Sequence, residues 1–268
     1  MVLSVSTVLA ILVGIILVIV LRGAPSLNLS MLIQTPKGGY YLGKEGGIAN
    51  AIVGSLYLSS GATVHSLLLG LPIAFALQKE YTGRQLSNIT RLALDILWGT
   101  PSIVYGAFGF VVMVYFGLRA SLLGGIIALT LLMLPIMTRS IEEVLRMIPL
   151  ELKETSYSLG ATRIETTLKV VFRQALPGIT TGILLAFGRG IGDAASVLFT
   201  AGYTDAIPRS LFEPVATLPL AVFFQLATPI PEVQQRAYAS GIILLIIVSI
   251  ASLASRISTR RLMKYVVK

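Results

Sequence analysis

The chain has 268 residues, of which 55% are hydrophobic and 12% charged, and its mean hydropathy is +0.85. Soluble domains carry about a quarter charged residues, so this composition excludes one and predicts a polytopic membrane protein. The net charge of +9 does not indicate nucleic-acid binding, because the basic residues lie between or after apolar segments. The lack of cysteine excludes thiolate metal sites, and the single histidine, His65, cannot form a metal cluster.

Six apolar segments are long enough to cross a bilayer, so the predicted fold class is all-α with six transmembrane helices. Within the third segment, Pro101 is expected to kink or interrupt the helix, because proline lacks an N–H group. The region 204–236 holds five prolines and is predicted to be a polar loop that does not span. The predicted spans cover residues 3–21, 48–77, 92–117, 121–138, 177–203 and 237–255.

The chain is predicted to divide into two parts just before the second span. Residues 1–47 are expected to form a first transmembrane helix with an external loop, and residues 48–268 a permease core domain. Residues 38–45 resemble a phosphate-binding P-loop, but Glu45 stands where a hydroxyl residue would hold magnesium. No apolar strand precedes this stretch, so we predict a turn-rich loop and no nucleotide site in this chain.

Lysine and arginine are distributed unequally between the two sides of the membrane. The loops 78–91 and 139–176 and the tail from Arg256 together hold fourteen, whereas the opposite side holds six. The positive-inside rule therefore predicts that both termini and the 139–176 loop face the cytoplasm of a plasma-membrane protein.

The longest charged segment predicts a helix–glycine–helix elbow at residues 149–176. Pro149 suits the first position of a short helix that Gly160 ends. Thr162 can cap a second helix, with Glu165 completing a capping box three residues later. Taken alone, the elbow is either a docking element or a solvated connector between spans.

The residues 154–162, together with Ala175–Gly178 further on, resemble the EAA loop of ABC-importer permeases. The matches are Glu154, Gly160 and the run 159–162, while Thr155-Ser156 departs from the two alanines common in that family. The resemblance implies a type I (MetI-like) permease architecture in which this loop is the coupling helix that inserts into an ATPase subunit. It places the coupling role on Glu154, Gly160, Ala161, Thr162 and Arg163.

Two further runs are similar to permeases of the Pst phosphate system. The run 98–106 resembles a Gly-x-Pro-Ser-Ile-Val-x-Gly sequence of those permeases, and the run 188–201 resembles one in their A-type subunit. Aspartate at 193 replaces the family's glutamate, and Ala194–Ser196 replaces Thr-Ala-Pro. The resemblance implies a phosphate permease that shares its path with a C-type permease and works with an ATPase dimer and an external phosphate-binding protein. ATP and magnesium would then bind the ATPase, and this chain would bind no cofactor or metal and would not be an enzyme.

Charged residues inside a bilayer are costly, so each is a candidate functional group. Arg189 and Asp193 are four residues apart and are expected to pair on one face of the fifth helix. Arginine can donate two parallel hydrogen bonds to an oxyanion, so Arg189 and Asp193 are predicted to lie on a substrate path. Thr100 and Ser102 are predicted to add hydroxyl groups to this path beside the backbone that Pro101 kinks. The alternative is a structural ion pair that only fixes helix register. For Asp95 the structural role is favoured.

Three other functions agree less well with the sequence. A permease for sulfate or molybdate, or the C-type phosphate permease, would share most of these features. An ion-coupled secondary transporter would usually carry more buried carboxylates. A membrane-embedded enzyme would need a His/Asp/Glu constellation that the chain lacks.

Overall fold

The computed structural model describes residues 2–37 and 45–262, which are almost wholly helical. The only strands in this part of the chain are β1 (Pro36–Lys37) and β2 (Glu45–Gly46), which pair antiparallel. The stretch that resembles a P-loop lies outside the described residues, apart from Glu45. The helices are α1 (Val2–Gly23), a 3₁₀ turn (Ala24–Ser26), α2 (Leu29–Ile33), α3 (Ala49–Ala76), α4 (Arg84–Gly99), α5 (Ser102–Tyr115), α6 (Leu122–Arg146), α7 (Leu150–Ser158), α8 (Arg163–Glu165), α9 (Phe172–Ile191), α10 (Leu218–Leu226) and α11 (Pro231–Leu262).

Five stretches of helix in the described chain are long and apolar enough to cross a membrane. They are α1, α3, α6, the continuous stretch Arg163–Ile191 and α11. A sixth crossing arises if α4 and α5 count as one span, although they are bent by 100° at the break between them. The predicted all-α, polytopic fold class is therefore confirmed.

The chain divides into two compact units, each assembled from distant parts of the sequence. The α10 unit comprises Met1–Leu58, Gly106–Gly125 and Ile191–Val248, and the elbow unit comprises Ser59–Tyr105, Ile126–Gly190 and Ser249–Lys268. The boundary at residue 47 that the sequence suggests remains a prediction.

In the elbow unit, α6 is the most deeply buried of the candidate spans. Glycine residues on the neighbouring helices allow those helices to lie close to α6. A Cβ atom added at Gly178 of α9 would lie 2.3 Å from a methyl group of Val144, and one at Gly70 of α3 would lie 2.9 Å from the Thr138 hydroxyl. Helices α3 and α9 therefore pack against α6 through positions that tolerate no side chain.

In the α10 unit, the short helix α10 is buried although it lies in a region predicted to be a loop. Thr217 caps its first turn by accepting a hydrogen bond from the Leu220 amide. The amide of Leu218 donates to the buried Ser55 hydroxyl of α3 at 2.8 Å. Apolar residues around it form a core cluster: Met31, Ile48, Ala51, Ala216, Leu218, Ala221, Ala239 and Ile243. The prediction of a loop that does not span holds only up to residue 230: α10 has 9 residues and is too short to span, whereas residues 231–236 belong to α11, a candidate span.

The fifth predicted span, 177–203, is wrong at both ends. Its helix begins earlier, because α8 continues through a π-helical stretch, Thr166–Val171, directly into α9. It also ends earlier, at Ile191, although apolar residues continue to Ala201. Pro177 lies inside α9 rather than at its start.

Candidate functional site

The elbow predicted at 149–176 is confirmed. Pro149 is the N-cap of α7, and Gly160 follows that helix with a φ of +83°, a backbone conformation that residues with a Cβ rarely adopt. Thr162 then caps α8: its hydroxyl accepts from the Glu165 amide at 3.3 Å, and the Glu165 carboxylate accepts from the Thr162 amide at 3.0 Å. Local sequence signals alone therefore determine this turn.

The two arms of the elbow are joined on their inner side. The buried hydroxyls of Ser156 on α7 and Thr166, just after α8, are 2.8 Å apart and share a hydrogen bond. Ser156 replaces a residue that is alanine in many ABC-importer permeases, and here it supplies this bond. The elbow is consequently a braced element rather than a flexible connector.

Most of the predicted coupling residues of the elbow are accessible to solvent, and their contact with an ATPase remains a prediction. Glu154, Gly160, Thr162 and Arg163 are exposed, and Ala161 is half-buried. Leu159, beside the glycine, is 83% exposed.

The turn between α3 and α4 holds both arms of the elbow. The Glu80 carboxylate accepts from the Lys153 ammonium of α7 at 2.8 Å, and the Glu80 carbonyl accepts from the Arg163 guanidinium at 3.0 Å. The Tyr81 hydroxyl donates to the Arg163 carbonyl at 3.0 Å and lies 2.5 Å from the Thr167 hydroxyl. The elbow is thus fixed to the end of α3, a membrane-spanning helix.

Partial burial raises the pKa of Glu80. Hydrogen bonds and the positive charges of Lys153 and Arg163 lower this pKa by more than burial raises it. The net result is a pKa below the ordinary glutamate value. The carboxylate is therefore ionised at neutral pH, and the ion pair with Lys153 is intact.

A buried carboxylate in the elbow unit, which was not among the predicted site residues, holds a cluster of arginines. Glu142 of α6 has a fully buried side chain and accepts from three arginines: Arg91 at 2.7 Å, Arg139 at 3.0 Å and Arg146 at 2.8 Å. Arg139 also pairs with Asp95 of α4, its Nε lying 3.0 Å from the carboxylate. This ion pair agrees with the structural role that was favoured for Asp95.

A sequence signal for this cluster existed. Arg139 and Arg146 lie three residues before and four residues after Glu142, which places all three on one helix face. These three residues were predicted to lie in the charged loop 139–176, but α6 extends to Arg146 and includes them.

Thr100 and Ser102 lie on either side of the predicted interruption at Pro101, which is confirmed. Thr100 caps the end of α4, and its hydroxyl donates to the Ile96 carbonyl at 2.9 Å. Ser102 begins α5 and is half-buried. Across the break, the Tyr105 hydroxyl donates at 2.6 Å to the Leu97 carbonyl, which also accepts from the Thr100 amide at 3.1 Å. Contact of Thr100 or Ser102 with substrate remains a prediction.

Arg189 and Asp193 do not lie on one helix, so the expectation that they share one face of the fifth helix is wrong. Arg189 is exposed in the last turn of α9, which ends at Ile191. Asp193 follows the helix and is 6% exposed, and its carboxylate accepts from the Ser196 amide at 2.8 Å. The aspartate thus caps the turn that follows α9. A role for either residue in the substrate path remains a prediction.

The described residues contain no group of three or more His, Asp or Glu side chains that could hold a metal ion. The candidate site is therefore the elbow together with its tie to α3. The geometry of this site is suited to transmitting a movement.

The all-α spans and the exposed elbow define a polytopic permease of the ABC-importer class. The chain belongs to the family described as the inner membrane component of binding-protein-dependent transport systems, whose family model matches residues 66–266. That region includes the whole elbow.

Several curated proteins are similar over most of the chain. The phosphate transport system permease protein PstA 1 of Mycobacterium tuberculosis (strain H37Rv) is 37% identical over 222 residues, which cover 81% of this chain and 72% of that protein. The PstA of Yersinia pestis is 34% identical, with 79% and 72% covered. The probable permease YqgI of Bacillus subtilis is 31% identical, with 92% and 88% covered. The chain is therefore a PstA-like permease.

Solved structures share the fold. An inward-facing MetNI methionine ABC transporter chain matches with a TM-score of 0.64 at 19% identity, covering 80% of this chain and 95% of that chain. A chain of an amino acid ABC transporter with histidines matches with a TM-score of 0.56 at 17% identity, covering 81% and 92%. The type I permease architecture is thereby confirmed.

Proposed function

We propose that this chain is the A-type permease subunit of an ATP-driven phosphate importer. It forms the translocation path with a second, C-type permease, and an external phosphate-binding protein delivers the substrate. A cytoplasmic ATPase dimer binds ATP and magnesium, whereas this chain binds no cofactor and is not an enzyme. Both termini and the elbow face the cytoplasm, as the distribution of basic residues favours.

The observation that carries this proposal is the exposed, braced elbow in a chain similar to phosphate permeases. Glu154 and most of the residues 160–163 are exposed, and the elbow is bonded to the turn after α3 through Glu80 and Tyr81. In alternating access, closure of the ATPase dimer would push on this surface. The bonds to α3 and the continuous helix into α9 would then reorient both spans.

The substrate is tested by uptake of labelled phosphate in cells that depend on this importer. We expect unlabelled phosphate to compete, and sulfate or molybdate not to compete at the same concentration. Competition by sulfate or molybdate instead would assign the importer to another oxyanion. Uptake by this chain reconstituted without an ATPase would contradict the proposal, because a secondary transporter needs none.

Gly160→Ala tests the coupling role of the elbow. Nothing lies within 4 Å of the added methyl group, so the change acts only through the φ of +83°, which costs an alanine roughly 1–2 kcal/mol. We expect weaker co-purification of the ATPase and a severalfold loss of uptake.

Gly117→Ala is the matched control. Gly117 has a φ of +68°, equally open surroundings and a position in the turn between α5 and α6, which belongs to the α10 unit and not to the elbow unit. Its variant should suffer similar backbone strain but retain ATPase binding and uptake. Equal losses in both variants would show that strain alone, and not docking, explains the effect.

A further inference from the structure

A cavity of about 850 Å³ lies in the elbow unit beside the coupling elbow. It is bounded by the turn between α3 and α4, the first turns of α4, the end of α6 and the start of α7. Five cationic side chains line it, against a single acidic one, Glu80: the cations are Lys79, Arg84, Arg91, Arg146 and Lys153. None of the functions proposed above uses this cavity.

The positive charge around the cavity is only partly compensated. Arg91 and Arg146 both bond to the same oxygen of Glu142, at 2.7 and 2.8 Å, and Arg139 shares that carboxylate. Lys153 pairs with Glu80. Lys79 and Arg84 are exposed and form no salt bridge within the described part of the chain. The cavity therefore carries a surplus of positive charge and two cations that remain available to a ligand.

Helix α4, which forms one wall, has two distinct faces. Arg84, Asn88 and Arg91 recur at helical spacing and line the cavity. Leu86, Ile89 and Ile96 recur on another face, and each is more than 60% exposed. A helix with a basic face and an exposed apolar face on nearly opposite sides is typical of an element at the membrane surface, where the headgroups of anionic lipids lie.

We propose that this cavity binds a phosphate-bearing anion, held by Lys79 and Arg84 together with the arginines behind them. Guanidinium and ammonium groups are the side chains that recognise phosphate best, and the volume accommodates a headgroup rather than a lone ion. The apolar face of α4 favours the phosphodiester of an anionic lipid as the source. A free phosphate ion is the other source with the same chemistry.

The test uses the full chain purified in detergent and the variant Lys79→Gln/Arg84→Gln. Binding of short-chain phosphatidylglycerol, short-chain phosphatidylcholine and inorganic phosphate is measured separately, by native mass spectrometry for the lipids and by calorimetry for the ion. The matched control is Arg256→Gln/Arg260→Gln, which removes the same charge from α11 in the same unit but outside the cavity.

We expect phosphatidylglycerol to bind and phosphatidylcholine not to bind. The cavity variant should lose affinity by tenfold or more, at about one kcal/mol for each basic residue near an anionic lipid, and the control should not. Phosphate binding that the cavity variant weakens, without lipid binding, would assign the site to the free ion. The proposal is overturned if neither probe binds, or if the cavity and control variants behave alike.

Discussion

Glu142 is the single residue whose loss should damage the isolated subunit most. Replacement by glutamine leaves Arg91, Arg139 and Arg146 around a neutral group in a site where the side chain is 0% exposed. Removing one partner of a buried ionic cluster costs about 3–5 kcal/mol, because the remaining charges lose their compensation. We therefore expect Glu142→Gln to lower the thermal unfolding temperature strongly in detergent.

The neighbouring Glu143 provides the control. Its side chain is 64% exposed and lies 3.5 Å from Arg146, so Glu143→Gln removes an exposed pair worth about 0.5 kcal/mol. Unfolding temperatures that fall equally in both variants would show that the buried cluster is not the source of the stability.

Arg189 is the residue on which the proposed path depends. It is exposed at the end of α9, so Arg189→Ala should leave folding and subunit assembly unchanged and abolish phosphate uptake. Arg173→Ala, at the start of the same helix and also exposed, should retain uptake. Normal uptake by the Arg189 variant in labelled-phosphate assays would remove this residue from the path.

At the scale of elements, the tie between α3 and the elbow should depend on pH. The pKa of Glu80 is lower in the folded protein, so the ion pair with Lys153 stabilises the folded state above the ordinary glutamate value of 4.5. This contribution, about 1 kcal/mol, is lost as the pH falls below 4.5 through the folded pKa.

The measurement is thermal unfolding of the wild type and Glu80→Gln across pH. The variant should unfold at a lower temperature from pH 8 down to pH 5, and the two proteins should converge at lower pH. Glu151→Gln, an exposed position on α7, should match the wild type throughout. A difference that grows in acid would contradict the tie.

Local chemistry made most of the elements predictable. The break at Pro101 follows from a missing N–H, and the elbow follows from Gly160 and the Thr162–Glu165 capping box. These signals act within a few residues, so a single sequence is enough to recognise them.

Two features that sequence reasoning missed have different causes, the first local and the second partly tertiary. Hydropathy indicates how deep a segment lies but not whether it is helical, so the end of α9 at Ile191 was missed. The capping of the Ser196 amide by Asp193 stabilises a different turn there. In the sequence, Glu142 and its neighbouring arginines resemble a solvated charged segment. The burial of Glu142 involves a tertiary contact, since Arg91, fifty-one residues away, lies 2.7 Å from its carboxylate.

At the scale of the whole molecule, α1 packs within the described part of the chain mainly at its C-terminal end, where a Cβ atom added at Gly23 would lie 2.7 Å from Ile242 of α11 and Arg22 donates to the Tyr238 hydroxyl at 3.1 Å. The apolar window of α1 is 0% buried, and nothing lies within 4 Å of a Cβ atom added at Gly14. Gly14→Ala should therefore be neutral or slightly stabilising for the isolated subunit. By contrast, a Cβ at Gly54 of α3 would lie 2.0 Å from the Ala216 carbonyl oxygen, so Gly54→Ala should cost about 2 kcal/mol or more.

Unfolding temperatures of the two purified variants test this contrast. Destabilisation of the isolated subunit by Gly14→Ala would show that α1 also packs within the chain around Gly14. If Gly14→Ala weakens only the assembled importer, the apolar surface of α1 is a contact with another subunit rather than with lipid.

The π-helical stretch Thr166–Val171 joins the elbow to α9 and contains wider turns than the α-helix on either side. Each residue of an α-helix advances about 100° around the axis, so tightening one wide turn would rotate everything beyond it by roughly that angle. Arg189 lies beyond this stretch, in the last turn of α9. A displacement of the elbow that tightened one of these turns would therefore rotate α9, and with it Arg189, about the helix axis.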